Sequence, residues 1–526
     1  MAHDIALVLS LLVAVAALVT LSGRLQLPYP IFLVLAGLVV GVIPGLPRVE
    51  LEPDLVFLLF LPPLLYQQAL TTSYRDFRAD LRPISLLAVG LVLITIVTVA
   101  GVAHAAAALP WPAAFALGAI IAPTDALAAS GVASRLGIPR RIVTVLEGES
   151  LLNDATSLVA YRFAVAAVVT GAFSLGSAAL GFVAVSAGGV IVGLVVGWLI
   201  GELRRRLDDP PVENLISLLS GFAAYLPAEA LGVSGVLAVV TAGFYLGRLG
   251  PRIISSRARV QNLAMWGVVT LVLNGLLFIL VGLQLPPVLD GIADRSLASL
   301  LRSAILVSLT VILVRLVWVY PSAYVPRRLS PRLRARDPYP PWQYLTVLGW
   351  GGMRGAVSLA AALALPRVTD AGAPFPGRAL IIFLTFAVLL ATLVGQGLTL
   401  PPLIRRLDLH VDPAVAREEA KARLKAAHAA MARLEALVVE DWVDPEEAAD
   451  VRSHYEERFR RYAARFDGAT DGGQEARAER ATRLRRELLD AERTAIIRLR
   501  DENYISDDVL RRVQLDLDLD RIRLDS

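Results

Sequence analysis

The 526-residue chain contains no cysteine, and charged residues make up only 19% of it. The missing thiols exclude a disulfide scaffold, thiolate metal sites and any cysteine nucleophile. Soluble domains carry about 25% charged residues and are about 45–50% apolar. Here 56% of residues are hydrophobic and the mean hydropathy is +0.61. A soluble globule is excluded, and so is a disordered chain. The net charge of +4 would suit nucleic acid, but the charge is unevenly spread. Residues 407–526 hold 22 Lys and Arg against 28 Asp and Glu, whereas 1–406 hold 29 against 19. No basic surface interleaved with aromatics is needed to explain the positive part; membrane topology explains it.

A spanning helix needs about 20 mostly apolar residues. Thirteen such runs occur, near 4–22, 28–46, 53–70, 83–108, 111–133, 142–171, 176–201, 213–230, 233–249, 260–285, 297–323, 343–366 and 378–404. The first lacks the basic stretch of a signal peptide and continues into further spans, so a retained helix is expected. Lys and Arg concentrate in cytoplasmic loops. With the N-terminus outside, 21 arginines fall on inside loops, among them Arg204–Arg206 and Arg327–Arg336, against five outside (Arg48, Arg295, Arg302, Arg367, Arg378). Adding or losing one span would scramble that alternation. The residues therefore predict thirteen spans over 1–406 and a C-terminal side in the cytoplasm. Residues 407–526 read as a cytoplasmic helical tail, with helices over 413–465 and 474–502 and a break at Asp467–Gly473. Its composition suits a solvated hairpin or coiled coil, structural or regulatory.

Three arginines (Arg162, Arg315, Arg354) and four carboxylates (Asp125, Glu147, Glu149, Asp154) lie within the spans. Ionisable groups in hydrocarbon are costly and mark functional sites or interhelical ion pairs. In span 6, Glu147, Ser150 and Asp154 share a stripe at i, i+3 and i+7, with Glu149 and Asn153 on a neighbouring stripe. Asp154 stands roughly 20 Å above the Arg141 edge, near mid-bilayer. A partly desolvated carboxylate there can hold either a proton or a small cation. Arg162 and Arg315 are expected to make structural pairs.

Span 5 is interrupted at Ile121-Ala-Pro-Thr-Asp-Ala-Leu127. Proline removes a backbone bond, and freed backbone groups in a membrane must line a cavity or be buried in protein. A simple kink would also explain the proline, but the adjoining Thr124-Asp125 makes an ion-binding surface. Span 12 has a matching flaw at Gly349-Trp-Gly-Gly-Met-Arg-Gly355. Those glycines could serve close helix packing. Broken helices at corresponding places in two halves instead mark transporter sites built on inverted repeats, here spans 1–6 and 8–13. Asp125 would offset the positive half-helix N-termini at such a crossing and Arg354 the negative C-termini.

Pro-Thr-Asp125, Glu-Gly-Glu-Ser-Leu-Leu-Asn-Asp154 and Gly352-Met-Arg-Gly-Ala356, in this order, resemble the sodium/proton antiporters of cation:proton antiporter family one. The resemblance covers 1–406. It implies an all-α polytopic membrane protein with two crossing discontinuous helices (spans 5 and 12). A core of spans 4–6 and 11–13 would move past a dimerisation domain of spans 1–3 and 7–10, in a homodimer of the cell membrane. Asp154 would be the cation- and proton-binding carboxylate, with Na+ at Asp154, Thr124 and Ser150. Asn153 stands where electrogenic relatives carry a second aspartate, so the resemblance is to the electroneutral, one-for-one class. Glu149 would complete the site and also pair with Arg354. No cofactor is implied beyond the transported Na+ (or Li+) and H+, which serve pH and sodium homeostasis.

Oxygen ligands from Thr, Ser, Asn and carboxylates suit hard cations. The alternatives are a K+/H+ exchanger of the same family and an intramembrane aspartyl protease using Asp125 and Asp154. The second lacks the expected Tyr-Asp and Gly-x-Gly-Asp signatures. Neither a channel's filter-like repeat nor a voltage sensor's arginine series occurs.

Overall fold

A computed structural model describes residues 2–25, 28–43, 52–172, 174–292, 295–409, 413–440, 442–467, 472–502, 504 and 507–525. Arg48 and residues 468–471 of the expected tail break lie outside them. The chain divides into two compact units, 1–411 and 412–526. Among the described residues β-structure is limited to an isolated antiparallel bridge, Val368 to Pro374.

The first unit is helical: α1 (Ala2–Arg24), α2 (Tyr29–Val42), α3 (Pro53–Thr71), the short α4 (Tyr74–Ala79), α5 (Leu81–Ala107), α6 (Trp111–Ile121), α7 (Ala126–Arg135) and α8 (Arg140–Thr170). It continues through α9 (Leu175–Arg204), α10 (Pro210–Ala230), α11 (Gly235–Ile253), α12 (Ser256–Leu283), α13 (Leu297–Leu329), α14 (Trp342–Trp350), α15 (Ala356–Leu363) and α16 (Arg378–Arg406). Among the described residues, eight helical segments are long and apolar enough to cross a membrane, Pro53–Thr71 and Arg140–Thr170 among them. Large apolar side chains face outward, including Leu180 at 76% exposure and Leu263 at 76%, as a lipid-facing surface requires.

Local chemistry sets the ends. Ser174, Ser234, Ser255 and Ser296 each accept a backbone N–H in the first turn of α9, α11, α12 and α13, relieving donors that a helix start leaves free. Along α9, Gly189, Gly193, Gly197 and Gly201 form a stripe against α11; a Cβ at Gly197 would already be 3.2 Å from Tyr245. Such small-residue stripes let backbones approach where lipid gives no hydrophobic drive. Three π-helical turns, Val56–Phe60, Leu86–Leu91 and Ala391–Gln396, interrupt α3, α5 and α16.

Both anticipated breaks are present. Residues 122–125 separate α6 from α7, and 351–355 separate α14 from α15. The breaks meet where the Asp125 N–H donates to the Met353 carbonyl at 2.8 Å.

The second unit comprises α17 (Pro413–Leu437), α18 (Pro445–Asp467), α19 (Gly472–Asp501) and α20 (Asp507–Asp525). The expected continuous helix over 413–465 is corrected to two. Asp444 caps α18 by accepting from the Glu446 N–H at 2.7 Å, and Pro445 starts a helix better than it continues one. The helix α20 was not anticipated at all.

Candidate functional site

The site is built where α8 passes the joined breaks. Asp154 (8% exposed) and Ser150 (6%) lie on one face of α8 and line a cavity of about 330 Å³. Thr124 and Asp125 from the first break, Gly355 from the second and Ser358 just beyond it share that lining. The Asp154 carboxylate makes no hydrogen bond or ion pair among the described residues, so its oxygens face the cavity without a protein partner. Asp125 acts as N-cap of α7: its Oδ1 accepts from the Leu127 N–H at 2.8 Å. Its Oδ2 packs so closely on Gly355 that a Cβ there would stand 2.6 Å away. It thus sits between the starts of α7 and α15, where helix dipoles favour a negative charge.

Behind this face a polar chain fixes Thr124. Arg315 of α13 grips the Glu149 carboxylate through both guanidinium Nη atoms, Nη2 to Oε2 at 2.9 Å, and also donates to the Leu348 carbonyl at 2.9 and 3.1 Å. An ionised carboxylate can only accept, so the Thr124 hydroxyl donates to Glu149 (2.9 Å) and must itself accept from Asn153 Nδ2 (2.7 Å). The same Nδ2 donates to the Thr124 carbonyl at 3.2 Å. Charge at Arg315 therefore dictates the amide orientation of Asn153, two residues removed. Ser150 accepts from the Ala126 N–H at 3.3 Å, tying α8 to the start of α7.

The expectation that Arg354 pairs with Glu149 is corrected: Glu149 belongs to Arg315. The Arg354 side chain donates to the Gly352 carbonyl at 3.3 Å and its Nε has no partner among the described residues. Its backbone N–H donates to Thr392 of α16 at 3.1 Å. The reason is steric: Gly352, lacking a side chain, leaves the space that the Arg315 side chain fills. Arg162 pairs with Glu229 at 2.6 Å. Of the expected cation ligands, Asp154, Ser150 and Thr124 line the cavity, whereas Glu149 and Asn153 do not and instead hold Thr124 from behind. Sequence reasoning missed Ser358, Asn274, Gln67, Gln68 and Thr71, which also line it. The available signal was the few polar residues in the apolar stretches of α3, α12 and α15.

A helical bundle with two interrupted helices meeting beside a cavity lined by the Asp154 and Asp125 carboxylates defines the class of ion-translocating membrane transporters. The model of the family described as sodium/hydrogen exchanger, transmembrane, matches residues 9–406, and the chain belongs to that family. An uncharacterized Na+/H+ exchanger of Mycobacterium tuberculosis is 40% identical, covering 98% of this chain and 95% of the relative. A Na+/H+ antiporter of Aphanothece halophytica is 34% identical (82% and 80%), and a sodium, potassium, lithium and rubidium/H+ antiporter of Bacillus pumilus 37% (73% and 59%). The sodium proton antiporter of Methanocaldococcus jannaschii shares the fold at a TM-score of 0.60, with 20% identity over 78% of this chain and 99% of that one. The protein is thus a membrane antiporter of the Na+/H+ exchanger family, not an enzyme, and the protease alternative falls away.

Proposed function

We propose that the chain exchanges Na+ for H+ one-for-one by alternating access, with Asp154 carrying each ion in turn. The observation that supports this most is the unpartnered Asp154 carboxylate in a cavity beside the Thr124 and Ser150 oxygens. A hard monovalent cation would replace its hydration shell with these oxygens; on its release the same carboxylate would take a proton. Asn153 is neutral and engaged with Thr124, so one carboxylate carries one charge each way, which makes the exchange electroneutral.

The cation is Na+, with Li+ and K+ as competitors; the Bacillus relative's broader title keeps K+ in the comparison. Thirteen spans with the N-terminus outside agree with the arginine distribution and the helical runs. In that topology Gln68, Thr71 and Glu147 lie toward the cytoplasmic ends of α3 and α8, so the cavity is the inward-facing access path. The chain would work as a homodimer in the cell membrane.

The test is initial rate in proteoliposomes, reading dequenching of a pH-sensitive dye on addition of Na+, Li+ or K+. Wild type should respond to Na+, and Asp154→Asn should not respond to any cation. Undiminished Na+-driven proton flux in the variant would overturn the assignment.

A further inference from the structure

Glu147 has no role in the mechanism above, yet it is a carboxylate within a membrane-spanning helix. It shares the Ser150–Asp154 face of α8, about 10 Å from Asp154 along the axis toward the Arg140 end, and lines the same cavity. Its carboxylate makes no hydrogen bond or ion pair among the described residues. The two arginines at the start of α8 are engaged elsewhere: Arg140 with Asp76 at 3.0 Å, Arg141 with Asp80 at 2.7 Å and Asp337 at 3.0 Å. Opposite stand neutral oxygen-bearing side chains of α3, Gln67, Gln68 and Thr71. Gln68 donates to the Glu147 backbone carbonyl at 3.5 Å, which keeps α3 against this turn. A carboxylate placed in a span for structure alone would be expected to have a cationic partner; this one feels the charge of Arg140, which is bridged to Asp76, but forms no ion pair of its own among the described residues and lines the cavity beside neutral oxygens.

We propose that Glu147, with Gln68 and Thr71, forms a second, transient station for the monovalent cation, which gathers it at the cavity mouth before it reaches Asp154. The proposal rests on the inward-facing reading of the cavity. One carboxylate and neutral oxygens suit a partly hydrated alkali cation, held loosely enough to move on. A negative charge in a low-dielectric cleft raises the local cation concentration at least about tenfold at low ionic strength, and added salt screens it.

The experiment measures the Na+ dependence of exchange in proteoliposomes with Na+ supplied to the cavity side, for wild type, Glu147→Gln, Glu147→Asp and Asp154→Asn. At low ionic strength Glu147→Gln should raise the half-saturating Na+ about tenfold, with the maximal rate within about twofold of wild type. The effect should shrink severalfold in about 0.3 M choline chloride, and Glu147→Asp should restore most of the wild-type value. An unchanged half-saturation overturns the station. So does a salt-independent rise, or a fall in maximal rate alone, either of which would make Glu147 structural. If wild type itself exchanges no Na+, or Asp154→Asn remains active, it is the underlying transport reading that fails.

Discussion

Replacing Arg315 by Met would strand the Glu149 carboxylate where neither side chain of the pair exceeds 2% exposure. Removing one partner of a buried pair costs about 3–5 kcal/mol, because the remaining charge is left uncompensated. The Leu348 carbonyl, in the last turn of α14, also loses its donors, adding about 1–2 kcal/mol. Glu149→Gln should cost a similar 3–5 kcal/mol by stranding Arg315. In the double variant neither charge is stranded, so its loss should fall short of the summed single losses by about 2–3 kcal/mol. Extending the size scaling of unfolding to some 400 residues gives about 1–2 °C per kcal/mol. Glu149→Gln should then lose about 3–10 °C and Arg315→Met about 4–14 °C in the melting of detergent-purified protein, followed by loss of the monodisperse gel-filtration peak. The double variant should melt below the worse single one by clearly less than the other single variant's own loss. Arg354→Met combined with Glu149→Gln should couple less strongly, because the Glu149 charge acts on the buried Arg354 without forming an ion pair with it. Additivity at Arg315 and Glu149, or stronger coupling at Arg354 than at Arg315, would refute the pairing.

Three further outcomes follow from the geometry. A membrane potential imposed with valinomycin should leave the equilibrium Na+ gradient unshifted; a shift proportional to voltage would exclude one-for-one exchange. Gly355→Ala would drive a methyl into Asp125, with Oδ2 2.6 Å and Cβ 2.7 Å from the new atom. Misplacement on that scale should lower the exchange rate on the order of tenfold to a hundredfold while the protein still elutes as folded, and a wild-type rate would show that the Asp125 position is not needed. Asp337 receives Arg82 and Arg327 at 2.7 Å and Arg141 at 3.0 Å. Asp337→Asn should cost about 1–2 kcal/mol, read as a melting loss that diminishes in high salt.

Much of this was legible because membranes impose length and sign. Apolar runs such as 142–171 have to become helices in hydrocarbon, and Pro123 with Gly349–Gly355 announced where two helices break. The identity of Glu149's partner was not legible. Arg315 and Arg354 are both intramembrane arginines, and periodicity within α8 carries no information about which distant helix packs behind it. What decides is the missing side chain at Gly352, a three-dimensional fact about the space beside the second break. The cavity wall from α3 was equally hidden, since Gln67, Gln68 and Thr71 read in sequence as polar residues near a helix end. The π-helical turns left no compositional trace.

The join between the two interrupted helices is made by main-chain atoms, the Asp125 N–H and the Met353 carbonyl. No substitution at position 125 other than proline can delete that donor, and none at 353 can delete the acceptor. The joint is therefore heritable independently of the side chains that surround it. Under the proposed mechanism, Thr124, Ser150 or Ser358 of the cavity lining could drift among descendants, retuning which alkali ion is preferred, without dismantling the framework on which any preference must be built.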